Sequence, residues 1–408
     1  MSESKISRRR FLETAAVLPI PGALGLDGFL RWLPGGDDRS LVVLELDGGN
    51  DGLNTVLPVE DPSWARARPS LASVRGGSHR LDDGFALHPS CSGLSELMQK
   101  GLAAVIHGVG YEGSSRSHFK SRDVWHTADV GFEELGVDTT GWMGRIADQL
   151  SARGAAVPGL SVGSLQVPLI LKASSVVVPS LNRIEDYQVM VSPGGDQNRR
   201  RAELREFVES EDRSEEGLRR FLSRVSASAI ENAEKVRTSL ARYRPDAEYP
   251  DNALGRKLQL LARIVISGFG TRLFHVNFPG FDTHASQLQT HEVLLQQLSS
   301  ALRALVLDLH GHGKLDDVVV IVQSEFGRRV TQNQSLGTDH GKAAPVFVLG
   351  GGVRPGLHGE HPSLSDLADG DLRPTTDFRS VYAAAIRQLH LEPSAILGSS
   401  FGGLDLFA

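Results

Sequence analysis

The chain has 408 residues, 40% hydrophobic and 23% charged, enough to bury a large core and unlike a disordered or fibrous composition. Its formal net charge of -6 provides no basic footprint for nucleic acid. Cys91 is the only cysteine, which excludes an intrachain disulfide and a thiolate zinc cluster, so a metal here has only oxygen and imidazole ligands available.

Residues 1–39 read as a signal segment and linker. Ser7-Arg8-Arg9-Arg10-Phe11-Leu12 precedes a modestly apolar run, Thr14 to Leu26, broken by Pro19 and Pro21. The run is shorter than the roughly 20 apolar residues a membrane span takes. A charged start, a short apolar middle and the polar exit Gly35-Gly36-Asp37-Asp38 mark a signal, and the arginine pair makes it the twin-arginine type. It predicts the twin-arginine translocase as a partner, export in the folded state, and a periplasmic or extracellular location. No membrane span is expected in the mature chain. The weak small-residue site Ala23-Leu24-Gly25 leaves both cleavage and retention as an anchor open.

Residues 40–408 read as one α/β domain. Leu41 to Leu46 is a nearly continuous apolar run closed by Asp47-Gly48-Gly49, the pattern of a buried parallel strand. A helix is predicted from Cys91 to Lys100, then a strand from Leu102 to His107, with shorter strands at Leu160 to Val162 and Pro168 to Leu171. Residues 196–250 are charged, with apolar residues at helical spacing, and read as a solvated helical insertion. A helix from Leu254 to Ser267 leads to a strand from Thr271 to Phe278. The long helix His291 to Leu309 precedes the strand Asp317 to Gln323. Pro345 to Leu349 is a further strand and Ser380 to Leu389 a last helix. Strands alternating with helices predict a layered fold with a mostly parallel sheet.

Acids and histidines fall at the ends of these strands. Asp47 closes the first, Asp282 and His284 follow the strand ending at Phe278, Glu325 follows Gln323, and Asp339-His340 precedes Pro345. If the strands are neighbours, these side chains meet on one rim, where ligands of parallel sheets gather. The set suits one or two divalent cations such as zinc, manganese or calcium. Two ions about 4 Å apart hold the attacking and leaving oxygens of an in-line displacement.

The order of these motifs resembles the alkaline phosphatase superfamily, with its sulfatases and phosphoglycerate mutases. Asp47-Gly48 looks like its first metal aspartate, and Asp282-Thr283-His284 like its Asp and His pair. Ser324-Glu325-Phe326-Gly327 stands where Asp-His-Gly or Asp-Asn-Gly is usual, and His340-Gly341 looks like the last metal histidine. More closely, the chain resembles a bacterial family known as domain of unknown function 1501. That likeness rests on Leu46 to Gly52, Arg116-Ser117-His118-Phe119, Gly280 to His284, Ser324 to Arg328, Thr338 to Gly341 and Arg373 to Phe378. The resemblance implies an alkaline phosphatase-like three-layer sandwich with a mostly parallel central sheet and a helical insertion. It also implies metal ligation by Asp47, Asp282, His284, Glu325, Asp339 and His340.

In active superfamily members a Ser, Thr or modified Cys takes the phosphoryl or sulfuryl group at a helix start. Ser117 occupies that place in the order, and Arg116 would clamp the anion; Ser117 reads equally as the cap of the next helix. Glu325 replaces the usual Asp and Phe326 a ligand, which puts a second metal site in doubt. The expectation is an exported metal-dependent hydrolase of small anionic phosphate or sulfate esters. The alternative is a non-catalytic envelope protein that keeps the fold and binds a partner or glycan. Gly398-Ser399-Ser400-Phe401-Gly402 matches a serine-hydrolase elbow, but no histidine follows it before Ala408.

Overall fold

The run Leu41 to Leu46, apolar except at Glu45, becomes β1 (Ser40–Asp47), buried on both faces in mid-sheet. The computed structural model describes residues 39–155, 157–164, 166–182, 240 and 242–408. The arginine-rich first segment and most of the charged insertion therefore lie outside the described residues.

Around β1 assemble β2 (Ala103–Gly110), β3 (Gly159–Val162), β4 (Ser180–Leu181), β5 (Leu273–Pro279), β6 (Val318–Gln323), β7 (Ala344–Leu349), β8 (Gly356–His358) and β9 (Thr376–Asp377). Their order is β8-β2-β7-β6-β1-β5-β3-β4, with β9 also pairing β2. Every pair is parallel except those made by β7, which runs against both β2 and β6. This one reversal matters for the site. β1, β5 and β6 reach the rim with their ends, whereas β7 reaches it with its start, so residues just before Ala344 join residues just after Asp47, Pro279 and Gln323.

Eight helices are described: α1 (Pro62–Ala67), α2 (Ser92–Gln99), α3 (His118–Thr127), α4 (Trp142–Ala152), α5 (Ala253–Ile266), α6 (Gln287–Gly311), α7 (Phe378–Gln388) and α8 (Pro393–Leu397). The even residues of β1 (Val42, Leu44, Leu46) pack with leucines of α2, α5 and α6. The odd ones (Leu41, Val43) pack with Val124 and Trp125 of α3, Trp142 and Ile146 of α4, and Phe378 and Tyr382 of α7. The period-two alternation of a strand thus feeds two cores, and the result is a three-layer α/β/α sandwich. A smaller cluster packs Leu53 and Leu57 from beyond β1 with Trp64 of α1, Val330 from beyond β6 and Leu372. Among the described residues no helix is long and apolar enough to cross a membrane.

Two expectations need correction. Pro168 to Leu171 is not a strand; it leads into a 3-10 turn, Leu169–Leu171, with Ile170 and Leu171 buried. Apolarity reported burial there and not conformation, because so short a run carries no period. The turn backs onto Gly141, where an added Cβ would lie 2.1 Å from the Leu169 carbonyl. The long helix starts at Gln287, four residues early, because the loop after β6 supplies its first acceptor: the Gln287 N–H donates to the Leu336 carbonyl at 3.0 Å.

The rim loops are tied from inside by Arg68, the residue that ends α1. Its guanidinium donates to Asp51 at 2.5 Å, Asn54 at 2.9 Å, the Arg329 carbonyl at 2.6 Å and the Val330 carbonyl at 2.8 Å. Neither side chain of the Arg68–Asp51 pair is exposed. Burial alone would raise the Asp51 carboxyl, but Arg68, helped by His291 and Gln287, holds the group below its ordinary value. Arg68→Met, which strands that charge, is expected to cost about 3–5 kcal/mol in urea unfolding at pH 7. Because the folded carboxyl is depressed, this difference should shrink as pH falls below about 4, where the unfolded chain takes up the proton first.

Candidate metal centre

The rim begins with a turn only glycine can make. Gly48 and Gly49 have φ of +120° and +79°, and an added Cβ would meet the Asp282 amide nitrogen at 2.4 Å and the Phe326 ring at 2.3 Å respectively. The first strand's exit is therefore pressed onto the segments that follow β5 and β6. Glu325 accepts from the Gly48 N–H at 3.0 Å and the Gly49 N–H at 3.2 Å. Arg328, fully buried, donates to the carbonyls of the same two residues, to the Phe281 carbonyl at 2.9 Å, the Thr338 carbonyl at 2.8 Å and the Asp282 carboxylate at 2.8 Å.

On this base three imidazoles converge on one carboxylate. His340 Nε2 lies 2.9 Å from Asp282 Oδ1, and His284 Nε2 lies 3.0 Å from the same oxygen. The two Nε2 atoms are 2.9 Å apart. His118, first residue of α3, brings its Nε2 to 3.6 Å from Asp282 Oδ2. The candidate ligand atoms of His118, Asp282 and His340 all fall within 4.8 Å of one another.

The far nitrogen of each ring fixes its tautomer. His118 Nδ1 is 2.8 Å from Glu325 Oε1, His340 Nδ1 is 2.8 Å from the Arg116 carbonyl, and His284 Nδ1 is 3.3 Å from Asp339 Oδ1. A carbonyl or carboxylate only accepts, so each Nδ1 is a donor, and a ring that carries no second proton turns its Nε2 lone pair inward. Lone pairs and a carboxylate oxygen meeting at about 3 Å repel unless a proton or a cation sits among them. Burial, with the charge of Arg328, pushes His340 below its ordinary value, which disfavours the proton there. Burial would raise Asp282, but His340 and Arg328 bring it down to about 2. The donor set, three imidazoles and a carboxylate each backed by a second partner, fits a divalent transition ion.

The residues expected from the sequence divide into groups. Asp282, His284 and His340 come together, and Asp339 stands behind His284, with Asn333 also donating to it at 3.0 Å. Asp47 is turned aside: it accepts from Arg122 and, at 3.2 Å, from the Asn277 amide. Glu325 is buried behind the rim and orients His118. Arg116 is engaged away from the centre by Asp371 at 2.6 Å and Asp369 at 2.9 Å; its backbone carbonyl, not its guanidinium, serves the imidazoles. Ser117 is the exposed N-cap of α3, and its hydroxyl makes no capping bond. Phe326 packs its ring against His118 and His340 at 4.9 and 4.5 Å.

Sequence reasoning passed over His118 as a ligand and Arg122 as a neighbour. Their spacing was the available signal: residues four apart share a helix face, and both carry chemistry. A single histidine followed by an exposed Phe119 gave no period by itself.

A family model described as "Protein of unknown function (DUF1501)" matches residues 38–403. Among curated proteins none matches the sequence. A protein in the alkaline phosphatase superfamily from Vibrio parahaemolyticus is similar over 90% of this chain and 71% of its own, at 10% identity and a TM-score of 0.38. PsFucS1 sulfatase from Pseudoalteromonas sp. is similar over 92% and 73%, at 12% and 0.37. Thermus thermophilus alkaline phosphatase is similar over 78% and 65%, at 14% and 0.30. At such values the likeness says nothing of chemistry.

Gly48→Ala is expected to lower stability by about 2–4 kcal/mol, from left-handed backbone strain and collision with the Asp282 backbone. An unchanged denaturation midpoint would show that this turn does not pin the rim.

Proposed function

The chain belongs to the DUF1501 family, whose description assigns no activity, and from its rim we propose a metal-dependent hydrolase of small phosphate or sulfate esters. The observation that carries this reading is the convergence of three Nε2 lone pairs on Asp282. His118, Asp282, His284 and His340 would hold one ion, with Glu325, Asp339 and the Arg116 carbonyl fixing the rings. Zinc or manganese suits three imidazoles better than calcium, which prefers an all-oxygen shell. When bound, the ion supplies Lewis acidity and neutralises charge on the ester.

The chain's own groups would do the rest. Ser117 opens α3 beside His118, where the first-turn N–H groups favour an anion. Its Oγ forms the new bond to phosphorus or sulfur as the alcohol leaves with a proton, and water then releases phosphate or sulfate. Arg122, held by Asp47 and one-third exposed, is a better placed cation for the anion than Arg116. With Asp47 and Glu325 occupied by hydrogen bonds, one ion is favoured over two.

The test is metal content and turnover together. Protein purified with zinc or manganese should carry an ion at the rim, lose that rim ion with Asp282→Asn, and hydrolyse an aryl phosphate or aryl sulfate. Ser117→Ala should retain the ion and lower turnover by a factor on the order of a thousand. Bound metal with no turnover of either ester, and Ser117→Ala indistinguishable from the parent, would favour the non-catalytic envelope protein.

We assign export to the segment around Arg8 and Arg9, which directs a folded, metal-loaded protein to the twin-arginine translocase and out of the cytoplasm. Replacing both arginines by lysine should leave the protein in the cytoplasmic fraction; unchanged export would remove that assignment.

A further inference from the structure

The face of α3 that carries His118 continues into the protein. His118, Arg122 and His126 recur every four residues, so they form one stripe, and His126 lies two turns below the rim. There its Nε2 is 3.0 Å from Glu45 Oε2, and His275 of β5 brings its own Nε2 to 3.0 Å from the same oxygen. The side chains of His126, His275 and Glu45 are 4%, 3% and 6% exposed. One ligand atom from each lies within 4.8 Å of the other two. Arg122 passes Glu45 at 3.5 Å, but its closer partner is Asp47 at the rim.

A second observation marks the same place. Glu45 is in register with Asn277 on one side and Gln323 on the other, and His275 with Ser161. Asn277 Oδ1, Gln323 Oε1, Ser161 Oγ, His275 Nδ1 and Arg122 Nε all lack a hydrogen-bond partner. They are five of the twelve such buried atoms among the described residues, and each belongs to a residue that touches Glu45 or stands in register with Glu45 or His275. Buried polar atoms are normally paired. Two of these are amide oxygens flanking an anion, acceptors that a cation or a hydrogen-bond donor would satisfy and a further acceptor would not.

We propose that Glu45, His126 and His275 form a second cation site, sealed beneath the rim, for one divalent transition ion of the zinc class. Two imidazoles and a carboxylate are a ligand set such ions take, and Asn277 or Gln323 offers a neutral oxygen beside it. Ser161 stands next to His275 across the β3–β5 ladder, where it can accept from Nδ1 once Nε2 binds metal. The ion joins β1, β5 and α3 from inside and so sets the position of His118 above. This site does not depend on the rim reading.

The two sites differ in access, and that separates them experimentally. Asp282 and His284 of the rim are 46% and 43% exposed, whereas no side chain of the buried trio exceeds 6%. Protein produced in zinc-supplemented medium should hold two zinc ions per chain and keep one after dialysis of the folded protein against EDTA. The rim variant Asp282→Asn/His284→Ala, folded by circular dichroism, should also keep one. Grown with cobalt, it should show visible d–d absorption, which Glu45→Gln added to that background abolishes. One ion per chain in the parent that survives in the rim variant would mean the rim reading failed and the buried site stands. A folded rim variant with no retained zinc and no cobalt absorption overturns the proposal and leaves a hydrogen-bonded triad closed by water.

Discussion

The geometry of the rim rests on the pair Arg328 and Glu325, two opposite charges spent on the same two peptide groups. Arg328 takes the carbonyls of Gly48 and Gly49 while Glu325 takes their N–H groups. Neither side chain is exposed. A buried charge is tolerated only when its hydrogen-bonding capacity is filled, and here the filling is done by backbone from three separate strand exits. The loops that follow β1, β5 and β6 are thereby fixed to one another before any ligand is considered. The remaining arms of the clasp, Arg328 to Asp282 and Glu325 to His118, then point two rim groups toward a common centre.

Orientation of the imidazoles follows from partners that are themselves scaffold. A backbone carbonyl, a buried carboxylate and a half-exposed carboxylate each hold one Nδ1, so every ring presents its Nε2 inward. Such outer partners usually govern metal affinity almost as strongly as the ligands. Phe326 contributes in a different manner, as an apolar wall against which His118 and His340 rest. The ring thus narrows the centre while keeping the imidazoles in place.

Much of this was legible from strand ends. Apolar runs ending in Asp-Gly, or followed within six residues by Asp and His, announced both the sheet and its rim, and Asp282, His284 and His340 do meet there. Asp47 and Glu325 were visible as rim acids, but a sequence does not show which hydrogen bonds an acid will accept; a guanidinium on α3 and two glycine amides decided that. Arg116 beside Ser117 suggested an anion clamp, whereas Asp369 and Asp371, some 250 residues later, hold its side chain. Glu45, His126 and His275 were the least readable. Each sits within an otherwise apolar run or helix, and only the register of β1 with β5 and the pitch of α3 bring them together.

Among the described residues both margins of the sheet are short. On one side β4 has two residues, and on the other β8 and β9 have three and two, laid end to end along β2. A strand of that length offers few open amides for a neighbouring chain to zip onto. The six- to eight-residue strands that hold the centre are all interior, so the part of the sheet most able to seed cross-strand aggregation is also the part no second molecule can reach without first unfolding this one.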